Sequence, residues 1–145
     1  SKELGVADQV LIKGNALPSD VEAKFASHAE NMLYMPIIQT QKKSGQELYK
    51  AYKDKGEVPL AFEVCWQTTD PDVRAYMDDI IRSGAKLWVN SLWKSLNGGI
   101  CDDAAAKASA PGDIYGQLID MGATIIQTDR IELLVDYLRG RGLHE

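Results

Sequence analysis

The stretch LAFEVCWQTTDPDVRAYMDDIIRSGAKLWVNSL, residues 60–92, decides the fold. It begins and ends with short apolar runs, 60–66 and 87–92, rich in the β-branched and aromatic residues that favour strands. Between them, Asp70 followed by Pro71 is typical of a helix start, because the aspartate caps the helix and proline suits its first position. The stretch therefore predicts one strand–helix–strand unit.

The same alternation runs along the whole chain. The apolar runs 10–13, 32–39 and 124–129 are predicted as strands, and segments with apolar residues three or four apart lie between them. Successive strand starts are 22, 28, 27 and 37 residues apart, close to the length of one βα unit. The longest interval contains residues 97–111, which are predicted as a loop insertion before the last strand.

Capping residues indicate where the helices begin and end. Ser19 and Ser44 each precede a glutamate by three residues, the pattern of a capping box, and Asp129 precedes Glu132 in the same way. Glycines that suit a left-handed C-cap follow the periodic segments at positions 56, 84, 122 and 140. The chain is therefore predicted to be five βα units in series.

Five βα units predict a parallel sheet, either an open doubly wound sheet or part of a (β/α)8 barrel. Neither of the glycine-rich phosphate loops G-x-G-x-x-G and G-x-x-x-x-G-K-[ST] occurs, which removes the commonest reason to expect a nucleotide-binding sheet. Five units are too few to close a barrel of about 250 residues. The predicted fold class is α/β, a single domain over residues 1–145 that forms part of a TIM-type barrel.

Composition limits the expected partners. The chain has 145 residues, 45% apolar and 26% charged, and a formal charge of −5 with no basic stripe, so nucleic acid is not an expected partner. The longest apolar runs are far shorter than the roughly 20 residues that span a bilayer, and no membrane span is predicted. The N-terminal residues show no signal-peptide pattern, and the localisation stays unknown.

Polar side chains fall in the later half of four predicted strands. The bulky residues of strand 60–66 alternate onto one side that should face helices, so Glu63 is expected to point inward. By the same parity Lys13, Asn90 and Gln127 point inward from their own strands, and Trp88 lies beside Asn90. Barrel enzymes carry their sites at the C-terminal ends of strands, which predicts a polar pocket here. Each side chain alone has a structural alternative, as a solvated strand end or an ion pair.

Other candidate residues are assigned to structural positions. Trp66 is expected in the core, whereas Trp93 could line the pocket or pack in the core. His28 and His144 are expected at the surface. No Ser/His/Asp arrangement, His-x-x-x-His helix or carboxylate cluster with metal-ligand spacing can be assembled from the sequence. The two cysteines match no metal or redox motif and are expected to be free thiols that are buried or half-buried.

Four segments, YMPI (34–37), FEVCW (62–66), LWVNSLW (87–93) and GATIIQTD (122–129), precede a leucine-rich helix ending in RGL (141–143). Together they resemble the last strands and helices of the glycerophosphodiester phosphodiesterase family, over nearly the whole chain. The resemblance implies the C-terminal part of a (β/α)8 barrel whose N-terminal strands are missing. It also implies a parent enzyme that hydrolyses glycerophosphodiesters to an alcohol and glycerol 3-phosphate with a divalent metal, calcium or magnesium.

The resemblance carries over to four site residues. It implies Lys13 as a phosphate-facing cation, Glu63 as a pocket carboxylate, and Trp88 and Asn90 as residues that line the substrate cavity. The family's catalytic histidines and metal ligands belong to a His-Arg-Gly-type motif and acidic strands that this sequence does not contain. The chain alone is therefore expected to be inactive, and its own standing as an enzyme is left open.

The sequence leaves three hypotheses about function open. The first is a C-terminal fragment of a metal-dependent phosphodiesterase that acts on a small phosphodiester substrate. The second is a non-catalytic module that binds a phosphate ligand. The third is an interaction module, a half-barrel that associates with another copy to cover its open sheet edges.

Overall fold

Strands and helices alternate in the computed structural model, which describes residues 6, 9–25 and 33–145. The strands are β1 (Leu11–Gly14), β2 (Leu33–Gln39), β3 (Ala61–Cys65), β4 (Lys86–Asn90) and β5 (Ile125–Gln127). The helices are α1 (Pro18–Phe25), α2 (Lys43–Lys55), α3 (Pro71–Arg82), α4 (Asp102–Lys107), α5 (Gly112–Asp120) and α6 (Ile131–Gly140). All five predicted strands are confirmed, with ends shifted by no more than two residues.

The five strands form one parallel sheet in the order of the sequence, β1 to β5. Among the described residues, each strand pairs only with its neighbours in the chain, as expected when every crossover is helical and packs on the same side. Among the described residues, β1 and β5 are each paired on one side only, so the sheet has two open edges.

The sheet is curled into a half-barrel. In a flat sheet, four spacings of about 4.8 Å would separate β1 and β5 by about 19 Å, further than a lysine and a glutamine side chain reach together. The Nζ atom of Lys13 on β1 nevertheless donates a hydrogen bond to Oε1 of Gln127 on β5 at 2.8 Å. The two edge strands must therefore bend toward each other, and the fold is an α/β half-barrel.

The main hydrophobic core lies between the outer face of the sheet and the helices. Strand β3 contributes Phe62 and Val64 to it, and Trp66 follows directly after the strand. All three side chains are at least 97% buried, and burial of a side chain of this size stabilises the fold by about 1.5–3 kcal/mol. The prediction that these three residues face helices is confirmed, and it leaves Glu63 on the opposite, concave face.

Only some of the predicted helix caps are present. Asp70 caps α3, because its Oδ1 accepts a hydrogen bond from the backbone N–H of Val73 at 2.9 Å. Ser19 and Ser44 were predicted as caps, and this is wrong, since both lie inside the first turns of α1 and α2. At α1 the reason is Pro18, whose fixed φ makes it the first helical residue.

Glycines end the helices largely where they were expected. Gly56 has φ +73° at the end of α2, and Gly84 and Gly122 are also left-handed. Gly140 was predicted as a stop, but it is the last helical residue of α6, and the left-handed position is Gly142.

Residues 97–111, predicted as a loop insertion, are not irregular throughout. They contain the short helix α4, and α5 begins directly after them at Gly112. None of the helices that the structure describes has the length and apolar character needed to cross a membrane.

Candidate functional site

Four polar side chains from four strands meet on the concave face. The Lys13 ammonium lies 2.8 Å from Oε2 of Glu63 and 2.8 Å from Oε1 of Gln127. The Nδ2 atom of Asn90 lies 3.4 Å from both Oε1 of Glu63 and Oε1 of Gln127. These four residues are called the inner polar cluster below. The sequence prediction that they converge is confirmed.

Strand register explains why the cluster forms. Glu63 is the partner of Trp88 across β3 and β4, and Asn90 is the partner of Gln127 across β4 and β5. In a parallel sheet, such partners point to the same face, and residues two apart do so as well. The curl of the sheet then brings Lys13 from the far edge across the concavity.

Strand β2 contributes only apolar side chains beside Lys13 and Glu63. Met35 is the partner of Lys13, and Ile37 is the partner of Glu63, so both point to the concave face. Met35 is fully buried, yet it lies outside the core that packs against the helices. Neither residue was predicted as part of the concave face, although the same parity rule identifies both.

The Trp88 indole lies under the lysine of the cluster. The Lys13 Nζ is 5.5 Å from the centre of the Trp88 ring, within the range of a cation–π interaction. The Trp88 Nε1 is buried and has no hydrogen-bond partner among the described residues. Trp66 lies in the core as predicted, and its Nε1 donates to Oγ1 of Thr69 at 2.9 Å. Trp93, left open between pocket and core, is 64% exposed and therefore belongs to neither.

The charges of the cluster are unequally hydrated. The Glu63 side chain is 4% exposed, whereas the Lys13 side chain is 36% exposed. A buried carboxylate is costly without a partner, so the ammonium compensates Glu63 while part of it stays accessible to solvent. An incoming anion could therefore reach Lys13 from the open side of the half-barrel.

Cys65 lies next to the cluster but is not suited to nucleophilic chemistry. Its Sγ is 4.0 Å from Oε1 of Glu63, and the thiol is buried. Burial first, and the Glu63 carboxylate second, raise the pKa of Cys65 to about 12. At neutral pH it is therefore a neutral thiol. Both cysteines are free and buried, which confirms the sequence prediction.

Two cavities open at the C-terminal ends of the strands. One of about 390 Å³ lies beside Gly14 and the start of α2, and one of about 260 Å³ lies beside Cys65 and Ser95. Gln39 and Lys42 line both. A larger cavity, about 900 Å³, lies instead between α2 and α3 on the outer surface, away from the inner polar cluster.

A second polar centre, which was not predicted from the sequence, surrounds the carboxylate of Asp102. Its Oδ1 accepts hydrogen bonds from the hydroxyls of Ser91 at 2.7 Å and Tyr115 at 3.0 Å. Its Oδ2 accepts from the Thr128 hydroxyl at 2.9 Å and from the Asp129 backbone N–H at 3.0 Å. Only the Asp-Asp pair at 102–103, placed between apolar residues, hinted at this site in the sequence.

Hydrogen bonding keeps Asp102 ionised despite its burial. Burial opposes ionisation, but the donors Ser91, Thr128 and the Asp129 amide outweigh it and hold the pKa of Asp102 below its usual value. A hydrogen bond with Asp102, together with burial and the Asp102 charge, raises the pKa of the Asp129 carboxyl. Asp129 was predicted to cap α6, and this is wrong, because Arg130 occupies the N-cap position without a side-chain cap.

Histidine and carboxylate side chains form no metal centre in the described part of the chain. His144 is exposed near the C-terminus, and His28 lies outside the described residues. Across residues 6, 9–25 and 33–145, no group of three or more His, Cys, Asp and Glu side chains is placed to hold a metal ion. The inner polar cluster itself contains one carboxylate, Glu63, and one ammonium, Lys13, and the two are bonded to each other.

A family model, DUF4996, matches residues 34–138 and is described as a domain of unknown function. The match runs from β2 into α6, so it includes Glu63, Trp88, Asn90, Gln127 and the Asp102 centre, while β1 with its lysine precedes it. No curated protein matches the chain.

Proposed function

The chain belongs to the DUF4996 family, and we propose that this domain is the C-terminal part of a TIM-type (β/α)8 phosphodiesterase of the glycerophosphodiester type. In this proposal it supplies the phosphate-binding wall of the barrel. The observation that carries the proposal is the Lys13 ammonium, presented on the concave face by Glu63, Gln127 and Trp88.

The shape of the sheet supports the barrel part of the proposal. The five parallel strands are curled, and their two edges are open among the described residues. At the N-terminal ends of β1 and β2, the concave face carries Leu11 and Leu33. These two residues are partners across the two strands and are 36% and 44% exposed. Further barrel strands would pair with the open edges and bury these leucines, as the interior of a closed barrel is packed with side chains.

The position of the cluster supports the phosphate part. Lys13, Asn90 and Gln127 lie at or next to the C-terminal ends of their strands, where barrel enzymes bind their substrates. An ammonium supplies charge stabilisation to a phosphoryl oxygen, and the two amides can donate hydrogen bonds to its neighbours. In this role Glu63 orients the lysine and neutralises it when no ligand is bound.

The cluster does not fit a divalent metal. Calcium takes six to eight oxygen ligands and magnesium six, preferably with carboxylates among them. The inner polar cluster offers one carboxylate, Glu63, which is already bonded to an ammonium. We therefore assign no catalytic step to a metal in this domain, and both the metal and the acid–base histidines of the proposed enzyme would come from the rest of its barrel.

The proposal is tested by titrating the purified chain with glycerol 3-phosphate in a calorimeter. Lys13→Ala should weaken binding by about tenfold or more, since a charge-assisted contact is worth about 1.5–3 kcal/mol. Lys86→Ala is the matched control, because Lys86 lies on the same face at the other end of β4 and is exposed. Equal effects of the two substitutions, or no binding by the unmodified chain, would contradict the proposal.

Hydrolysis provides a second test. The chain alone should not release glycerol 3-phosphate from glycerophosphocholine, even with added calcium or magnesium, because its sequence lacks the His-Arg-Gly-type motif that carries the catalytic histidines of the proposed family. Turnover by the chain alone that survives in Lys13→Ala would show that the catalytic centre is elsewhere.

The open edges favour a second candidate function, a self-associating half-barrel. Along the outer edges of β1 and β5, the N–H and C=O groups pair with no other described strand, and such groups are a template for pairing with another chain. Sedimentation equilibrium distinguishes the two functions. A dimer that is stable at low micromolar concentration and does not respond to glycerol 3-phosphate would favour this second candidate.

A further inference from the structure

The Asp102 carboxylate is filled by protein donors and does not point to a ligand. It is 99% buried and accepts four hydrogen bonds, two on each oxygen. Three of these donors belong to residues at the ends of β4 and β5, namely Ser91, Thr128 and Asp129. The fourth is Tyr115 of α5. Such a group acts through the residues that it holds.

The residues held on the sheet side are direct neighbours of the inner polar cluster. Ser91 follows Asn90, and Thr128 follows Gln127. The Ser91 backbone N–H also donates to the Gln127 carbonyl at 2.8 Å, which joins the two strand ends. The Asp102 carboxylate is therefore bonded to the residues that directly follow Asn90 and Gln127 in the chain.

The loop after β4 strengthens this connection. The backbone N–H of Asp102 donates to the Ser91 carbonyl at 2.8 Å, so the start of α4 is tied to the end of β4 twice. Asn97, which is fully buried in the same loop, donates from Nδ2 to the Asn90 carbonyl at 2.9 Å. The Leu92 backbone N–H donates to Oδ1 of Asn90 at 3.1 Å, which orients that amide.

We propose that Asp102 is a positioning residue for the inner polar cluster. It holds Thr128 and Ser91, these place Gln127 and Asn90, and Gln127 in turn holds the Lys13 ammonium. That this arrangement serves phosphate binding rests on the proposed function. The arrangement itself concerns the unliganded protein and can be tested without any ligand.

Two substitutions that remove one hydroxyl each separate positioning from a merely structural role. Thr128→Val removes the donor adjacent to Gln127, and with it the acceptor for the Arg130 backbone N–H. Tyr115→Phe removes a donor to the same carboxylate from α5, which does not contact the cluster. Both proteins keep Asp102 ionised and partly bonded, so both are expected to fold, and urea titration measures the stability of each.

The deciding measurement is the chemical shift of the Lys13 Cε group in protein labelled with ¹³C-lysine, assigned by its absence in Lys13→Arg. Thr128→Val should move this signal and weaken glycerol 3-phosphate binding by about fivefold, the equivalent of about one lost hydrogen bond. Tyr115→Phe should leave the signal in place and change binding by less than about twofold. If Thr128→Val leaves the signal in place, the link between Asp102 and the cluster is only structural and the inference is wrong.

The experiment also separates this inference from the proposed function. If the unmodified chain does not bind glycerol 3-phosphate, the proposed function fails. The Lys13 signal still decides the positioning role, because it is recorded without ligand.

Discussion

The ion pair between Lys13 and Glu63 makes a quantitative prediction about stability. Lys13→Met removes the ammonium 2.8 Å from a carboxylate that is 4% exposed. Loss of one partner from a fully buried pair costs about 3–5 kcal/mol. Because the lysine is 36% exposed and already partly hydrated, we expect a smaller loss of about 2–3 kcal/mol. The remaining amide donor, Asn90 at 3.4 Å, lies beyond the usual hydrogen-bond range and compensates little.

Substitution of the other partner of the ion pair should lower the free energy of unfolding by less. Glu63→Gln removes the buried charge and leaves Lys13 able to reach water, so we expect a loss of about 1 kcal/mol. The double variant Lys13→Met/Glu63→Gln no longer contains a buried unpaired charge. Its loss should therefore be smaller than the sum of the two single losses by about 1–2 kcal/mol.

Urea and thermal denaturation measure all three variants. For a domain of this size, about 1 kcal/mol corresponds to about 3–4 °C, so Lys13→Met should lower the unfolding midpoint by about 6–12 °C. Lys86→Met is the control and should change the free energy of unfolding by no more than about 0.5 kcal/mol. The reasoning is refuted if Lys13→Met costs no more than this control, or if the losses in the double variant are additive.

Three further predictions concern buried groups. Asp102→Asn should lower the free energy of unfolding by about 2–4 kcal/mol at pH 7. Because the folded protein holds the pKa of Asp102 low, the difference in stability from the unmodified chain should be complete above about pH 4 and should shrink as the pH falls through the folded pKa. Urea titrations at several pH values check this. Cys65, with its pKa raised to about 12, should resist alkylation by iodoacetamide at pH 8 in the native protein and react once urea unfolds the chain. Mass spectrometry measures the alkylation, and rapid alkylation of the native protein would contradict the burial of the thiol. Gly45→Ala should lower the free energy of unfolding by about 1–3 kcal/mol, because the new Cβ would lie 2.2 Å from the backbone oxygen of Gln39. The control Gly140→Ala would place a Cβ with nothing within 4 Å and should be neutral or stabilising. Thermal denaturation measures both variants.

Local sequence patterns were sufficient for the strands and for one helix start. Each strand is a short apolar run between turn signals, so its position depends on residues that are adjacent in the chain. Asp70 caps α3 through Val73, three residues away, and proline follows it. Ser19 and Ser44 carry an equally good local pattern, but their helices begin earlier, which shows that a capping motif does not by itself determine where a helix begins.

The candidate site was predictable to the extent that strand parity determines it. Parity placed Lys13, Glu63, Asn90 and Gln127 on one face, and the structure confirms that they meet. Their part in binding a phosphodiester, and the relation to the glycerophosphodiester phosphodiesterases, stay predictions. Asp102 could not be found in this way, because it lies in a short helix after a loop, where no period relates it to its partners.

The sequence by itself determined the alternation of five strands and helices, the concave-facing parity of the polar strand residues and the absence of a basic stripe or glycine-rich phosphate loop, since each of these depends on composition or short spacing. Only the tertiary structure decided the curl that brings Lys13 to Gln127 across 114 positions of the chain, and the burial of Asp102 among donors from two strand ends and a helix. The physical reason is that these contacts depend on the register and twist of the assembled sheet, to which all five strands contribute.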